Sequence, residues 1–466
     1  MQIDWQKEID QRKDALLADL IAMLKIESVR DEKLGSKNAP FGPGPREALD
    51  KFLEIGKRDG FEALDVDGIA GHLEYGTGAE TMGILAHVDV MPAGKGWNTN
   101  PFEPVIKDGK LFARGSSDDK GPGMAAYYGL KIIKELGLPI SKKVRLIIGT
   151  DEESGWRCMT HYFEKMPLPD FGFSPDAFFP LINGEKGNVS FNVDFQGGNG
   201  TGTKLLDFSA GLRENMVPRD AVAHISGIEF KKVKELLDKF ADDKSIEAET
   251  VEQDERIEIS VVGKAAHAQE PKNGENAGTY LALFLKQVEL GAGAKQFIDF
   301  AADYLHEDSR MDNFDLHFSD EIMGDLTMNA GIFNFAAAQG GRVTLNFRFP
   351  KGIGTSQIEE ALTKVARGVN AQVNTTGKMQ EPHYVSPEDP LVKTLLDVYE
   401  RQTGNKGYGM VVGGGTYGRL LKRGVAFGAM FPGTPDTMHQ ANEYMLVEDI
   451  LKAAAIYAEA IYELIK

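Results

Sequence analysis

The sequence predicts an α/β protein in which a mostly parallel sheet alternates with helices and a second, α+β segment is inserted. Three observations predict it. Short apolar runs at 82–86, from 144 and from 171 are too brief for core helices and are separated by longer stretches of helical periodicity, as parallel strands joined by crossovers require. From about Glu185 the texture changes to alternating strands at 189–195, 256–262 and 342–349, interleaved with helices at 230–240, 279–290 and 357–369. After Pro382 the apolar strand pattern returns, so residues 1–184 and 383–466 are expected to form one discontinuous domain and 185–382 an inserted one. A chain of 466 residues is long enough for two cores.

Taken in order, residues 4–27 carry Leu16, Leu17, Leu20, Ile21 and Leu24 at the spacing of one helix face, and a second helix is expected at 46–59 behind a Gly/Pro loop. The strand 82–86 ends in His87-Val-Asp89. Residues i and i+2 of a strand point the same way, and open sheets place their sites at strand ends. A carboxylate there would fix the tautomer of a metal-bound imidazole, although the pair alone also reads as a strand-end ion pair. The passage 111–122 gives a short strand, the adjacent acids Asp118 and Asp119, and a helix from 124 to 136. Their shared charge calls for a cation or a helix N-terminus, or else marks a solvated turn. The strand from 144 ends in Asp151, Glu152 and Glu153, one of which suits a helix cap, and the apolar segment from 171 ends at Asp176.

Parallel strands bring their C-terminal ends to one edge of the sheet, so these groups are expected to converge. So many carboxylates repel one another, and bound divalent metal is the simplest resolution. One imidazole among several carboxylates suits Zn²⁺, Mn²⁺ or Co²⁺.

The insert contains His267 between small residues, a position open to a ligand or to a structural histidine. Beyond a helix at 390–402, Met410-Val-Val-Gly-Gly-Gly-Thr-Tyr-Gly418 formally matches a dinucleotide fingerprint. Too little chain follows to build a mononucleotide-binding half, and an acidic site would repel a pyrophosphate, so Gly414 and Gly415 are read as receiving a substrate backbone or carboxylate. A strand at 424–430, His439 behind it and a helix at 446–465 are expected to complete the sheet.

The net charge of −18 argues against a nucleic-acid surface. A single cysteine, Cys158, suits a reducing compartment and is expected to be buried. The opening Met1-Gln-Ile-Asp-Trp-Gln has no basic or apolar export signal, and no apolar run reaches membrane-spanning length, so a cytoplasmic protein without membrane contact is expected.

His87-Val-Asp89, Asp118-Asp-Lys-Gly121, Glu152-Glu153, Asp176 and His439, in this order, resemble the two-metal metallopeptidases that include aminoacylases, carboxypeptidase G-type enzymes, desuccinylases and carnosine dipeptidases. The chain is most similar to the PepV-type dipeptidases of lactic acid bacteria, a likeness that extends through Glu381-Pro-His-Tyr384, Gly413-Gly-Gly-Thr-Tyr-Gly-Arg419 and Ile456-Tyr-Ala-Glu-Ala-Ile-Tyr-Glu463. The resemblance implies a zinc-peptidase catalytic domain with an inserted lid and two divalent metal ions, Zn²⁺ first and Mn²⁺ or Co²⁺ as alternatives. It implies that Asp118 bridges the ions, that His87 and Asp176 complete one sphere, and that Glu153 and His439 complete the other. Glu152 becomes the general base for a metal-held hydroxide, Asp89 the partner of His87, and the Asp118–Asp119 peptide cis. His267 and Asn215 reach the substrate, His267 serving the oxyanion, while Arg348 holds a C-terminal carboxylate. The implied activity is hydrolysis of unblocked dipeptides, extending to β-alanyl and Xaa-His dipeptides, since a terminal Asp176 marks dipeptidases where Glu marks carboxypeptidases and deacylases. An N-acyl-amino-acid amidohydrolase of the same family and a silent peptide-binding protein are the alternatives. The insert is long enough for a monomer to use its own His267.

Overall fold

The structure, a computed structural model, describes residues 3–198 and 202–466, so Met1 and Gln2 of the expected first domain and Asn199, Gly200 and Thr201 of the insert lie outside the described residues. The chain forms two compact units. The first comprises Met1–Gly184, Tyr384–Met410 and Gly415–Lys466, and the second Glu185–His383 and Val411–Gly414.

In the first unit, Lys143–Gly149, Thr81–His87, Phe171–Ser174 and Gly424–Ala426 lie side by side and parallel. Ala70–Tyr75 and Glu62–Val66 extend the sheet antiparallel beyond Lys143–Gly149. The central strands are apolar along their length because both faces are covered, which is why they read as continuous runs rather than alternation. The helices Lys120–Glu135 and Val447–Ile465 pack so closely that a Cβ on Gly129 would stand 2.8 Å from the Ala458 nitrogen. Both are buried through nearly every turn, and the first starts at Lys120 rather than 124.

Three expectations are corrected here. Residues 4–27 form two helices, Trp5–Asp10 and Lys13–Leu24, because the Arg12 N–H closes onto Ile9 O at 2.8 Å and its guanidinium donates to Glu8 O, ending the first helix. The strand before Asp118, Lys110–Phe112, belongs to a separate three-stranded sheet with Val105–Lys107 and Tyr444–Leu446, so Asp118 does not close a strand of the parallel sheet. His439 likewise sits in a turn leading to Tyr444–Leu446, with φ of 61°.

The second unit is an eight-stranded sheet, antiparallel throughout, with Glu247–Gln253 and Ala371–Gln380 at its edges. Arg256–Val262 alternates exposed and buried residues, the mark of a sheet covered on one face. That face packs on Phe230–Lys244, Ala277–Leu285, Ala292–Phe300 and Thr355–Gly368 through Phe240, Phe284, Phe297 and Leu362. Asn276 caps Ala277–Leu285 by accepting the Thr279 N–H, which starts that helix two residues ahead of the expected 279.

Candidate active site

The parallel strands of the first unit deliver four of the candidate residues at one edge. His87 ends its strand, Glu152 and Glu153 follow Lys143–Gly149, and Asp176 follows Phe171–Ser174. Asp118 arrives at the start of the helix Lys120–Glu135, across a peptide to Asp119 that is cis, as the resemblance implied.

Asp118 stands between the two histidines. Its Oδ1 lies 3.1 Å from His87 Nε2 and its Oδ2 lies 2.8 Å from His439 Nε2. Asp176 Oδ2 is 3.4 Å from the same His87 nitrogen, and Glu153 Oε2 is 3.0 Å from that of His439. Two sets of candidate ligands result, His87 with Glu152 and Asp176, and Asp118 with Glu153 and His439, each with its ligand atoms within 4.8 Å of one another. Glu152, expected as a base, therefore also stands within a ligand set.

The role expected of Asp89 divides between its two chemical groups. His87 Nδ1 meets the main-chain oxygen of Asp89 at 3.0 Å, closer than the carboxylate at 3.5 Å. The carboxylate accepts the N–H of Glu152 and of Glu153 at 3.1 Å each. A strand-end i, i+2 pairing missed this because Asp89 lies beyond the last strand residue, where the backbone turns. The N-cap of Arg157–Lys165 is Trp156, not one of the three acids; Asp151 accepts the N–H of the first helical residue, Arg157, at 2.9 Å and meets Arg30 Nη1 at 2.6 Å.

The electrostatics are those of crowded anions. Burial, and then the charges of Asp176, Glu153 and Asp118, hold the Glu152 carboxyl well above the ordinary range. Burial first and Asp118 second push Glu153 up to about 7. Burial opposes the charged form of His87, but Asp118, Asp176 and Asp89 outweigh it and raise this imidazole. His87 Nε2 is buried and makes no hydrogen bond among the described residues. An imidazole lone pair of this kind, ringed by carboxylate oxygens, fits a divalent cation, and the donor set of one imidazole with two carboxylates on each side is of the zinc and manganese type.

The remaining candidates belong to the second unit, apart from Gly415 in the first. Asn215 and His267 are brought side by side, since Met216 bridges His267 and the Ala268 N–H donates to Asn215 O at 2.9 Å. Arg348 is buried, with Nε 3.1 Å from Asn346 Oδ1 and Nη1 2.9 Å from Gly413 O, which ties it to the glycine run. A Cβ on Gly414 would meet open space, whereas one on Gly415 would stand 2.4 Å from an Arg419 nitrogen.

Sequence reasoning passed over Arg114 and Glu443, a buried ion pair at 2.6 Å under the Asp118 loop. They are 329 positions apart, and no local pattern links them. It also passed over Tyr417, whose hydroxyl meets the buried Cys158 Sγ at 3.0 Å and whose ring lies edge-on to His87. A lone aromatic in a glycine run carries no signal of that contact.

A buried strand-end histidine, an aspartate between two imidazoles and adjacent glutamates form two groups that could hold metal ions, and residues 83–463 match the model of Peptidase family M20/M25/M40. The chain belongs to that family and is a metal-dependent hydrolase. It is 43% identical to YtjP of Bacillus subtilis (strain 168) over 472 residues that cover the whole of both chains. It is 40% identical over 469 residues to the Beta-Ala-Xaa dipeptidase of Lactobacillus delbrueckii subsp. lactis, covering 100% of this chain and 99% of that one. Human carnosine dipeptidase 1 shares the fold at 14% identity with a TM-score of 0.61, over 99% of this chain and 98% of that chain.

Proposed function

We propose that this protein is a dipeptidase acting on unblocked dipeptides, β-alanyl dipeptides among them, with two divalent cations, zinc by preference, held between Asp118 and the two histidine sets. The observation that carries it is the placement of Asp118, one oxygen toward each imidazole. The name of the Lactobacillus relative supports the substrate class.

His87 and Asp176 would hold one ion, Glu153 and His439 the other, and Asp118 both. Bound there, the ions supply Lewis acidity toward a water nucleophile and toward the scissile carbonyl. Glu152 accepts the proton of that water at its carboxylate and returns it to the leaving amine nitrogen. The Asp89 carboxylate, bound to the N–H groups of Glu152 and Glu153, holds base and ligand at fixed spacing. His267 donates to the developing oxyanion beside Asn215, Arg348 pairs with the substrate carboxylate, and Gly414 and Gly415 admit the substrate backbone. The one cysteine, buried and with its thiol pushed up to about 12 by burial, suits work in a reducing cytoplasm. The insert, 185–382, is long enough for the chain to use its own His267, so the reading is of a monomer.

Hydrolysis of Leu-Ala-type and β-alanyl dipeptides by metal-stripped protein resupplied with Zn²⁺, Mn²⁺ or Co²⁺ tests the reading, beside N-acetylated and tripeptide controls. Cleavage confined to free dipeptides is expected. Cleavage of the acylated compounds alone would make the protein a deacylase and overturn the inference from Asp176.

A further inference from the structure

His439 is a half-buried ligand in an exposed turn, its side chain 48% accessible and its backbone at φ 61°. The turn is closed on itself through Thr437, whose hydroxyl accepts the Tyr444 N–H at 3.2 Å and whose carbonyl accepts the Gln440 N–H at 3.2 Å. What fastens it to the rest of the site is Glu443, which is fully buried. One carboxylate oxygen accepts Arg114 Nη1 at 2.6 Å, and the other accepts the Ser117 N–H at 2.9 Å and the Ser117 hydroxyl at 3.0 Å. The Gly115 N–H lies 3.1 and 3.2 Å from the two oxygens, and the main-chain oxygen of Glu443 takes the Ala113 N–H at 3.2 Å. Every donor belongs to the segment 113–117, which runs directly into Asp118.

We propose that Glu443 is a positioning residue that locks the Asp118 loop to the His439 turn, so that the two side chains meet at one ion with their backbones joined behind them. The inference rests on the reading of Asp118 and His439 as metal ligands. The contacts explain why a carboxylate stands here, since all of its partners donate. A glutamine would turn an NH₂ toward at least one N–H and leave the buried Arg114 charge uncompensated. Asp118 and His439 are far apart in the chain and approach to 2.8 Å, so a shift of either loop by a fraction of an ångström opens that side of the site. His87 and Asp176 are carried by the parallel sheet, so on that side Glu443 acts only through Asp118, whereas on the other it positions both Asp118 and the His439 turn.

Metal-stripped wild type, Glu443→Gln and His439→Ala are titrated with Co²⁺ by calorimetry and visible absorption. His439→Ala identifies the binding step that depends on this side of the site. Glu443→Gln is expected to weaken that same step about 10- to 100-fold and to shift its cobalt absorption, and to weaken the other step, which shares only Asp118, several-fold less. Two unchanged steps, or two steps weakened alike, would overturn the proposal. Should Glu443→Gln fail to fold, Ser117→Ala, which removes one bond to the carboxylate and no charge, must weaken the His439-dependent step selectively, and equal steps again overturn it. A wild type that takes up no cobalt would mean that the metal reading itself had failed, a result visible before any variant is compared.

Discussion

Asp89 Oδ1 accepts the main-chain N–H of Glu152 at 3.1 Å, and its other oxygen accepts that of Glu153 at the same distance. One buried carboxylate therefore sets the spacing between the proposed base and a proposed ligand. Asp89→Asn presents an amide NH₂ to one of these donors and is expected to lower kcat/KM about 10- to 100-fold, with Glu152 and Glu153 both displaced. Steady-state kinetics beside thermal melting checks this. A loss of melting temperature with unchanged kinetics would make Asp89 purely structural.

Glu152→Gln separates the two roles its position allows, base and ligand. As a base it is worth about 10²- to 10⁴-fold in kcat, and the variant would retain two ions per chain. Metal content measured on the same preparation decides between them. Loss of an ion together with activity would assign Glu152 to the set it forms with His87 and Asp176.

Removal of metal should abolish hydrolysis and leave the crowded carboxylates uncompensated. Each ion bound to the native state alone stabilises by about 2.7 kcal/mol at a hundred times its Kd. Melting temperature should therefore fall on chelation and recover with resupply. Because the imidazoles must be deprotonated to bind, metal affinity should fall as pH falls. Recovery that is insensitive to pH between 5.5 and 7.5 would count against histidine ligation, a window of about one unit either side of an ordinary histidine.

His72 makes a pH-dependent contribution remote from the site. It is buried with Nδ1 2.7 Å from the Tyr162 hydroxyl, and burial first, then Arg145, holds its pKa down to about 4 from 6.5. The depressed folded value means that the unfolded chain protonates first as pH falls. The neutral imidazole's contribution is present above pH 6.5 and is lost progressively down to about 4, by about 3 kcal/mol in all. His72→Gln, which cannot take up a proton in this window, should show a flatter fall in denaturant midpoint over that range. Parallel curves for wild type and variant would remove His72 as the cause.

What the sequence declared locally, the structure carries with little change. Apolar runs bounded by glycine became the parallel strands, and period-two alternation became the antiparallel sheet, because burial on two faces or one leaves a different pattern along the chain. The metal-site candidates were legible for the same reason, as acids and imidazoles at the abrupt ends of apolar runs. Errors fell where the route of the backbone mattered. Lys110–Phe112 has the texture of any short strand, and only its pairing with Tyr444–Leu446 assigns it to a separate sheet.

By itself the sequence determined the class of protein, the order of its elements and the residues that hold the proposed chemistry, since side-chain type and local periodicity are written residue by residue. Tertiary structure alone decided how those residues are held. It set the Asp89 carboxylate on the backbone of Glu152 and Glu153, and it buried Arg114 against Glu443 across 329 positions. Hydrogen bonds between distant segments depend on how the chain folds back on itself, and no spacing along the sequence records that path.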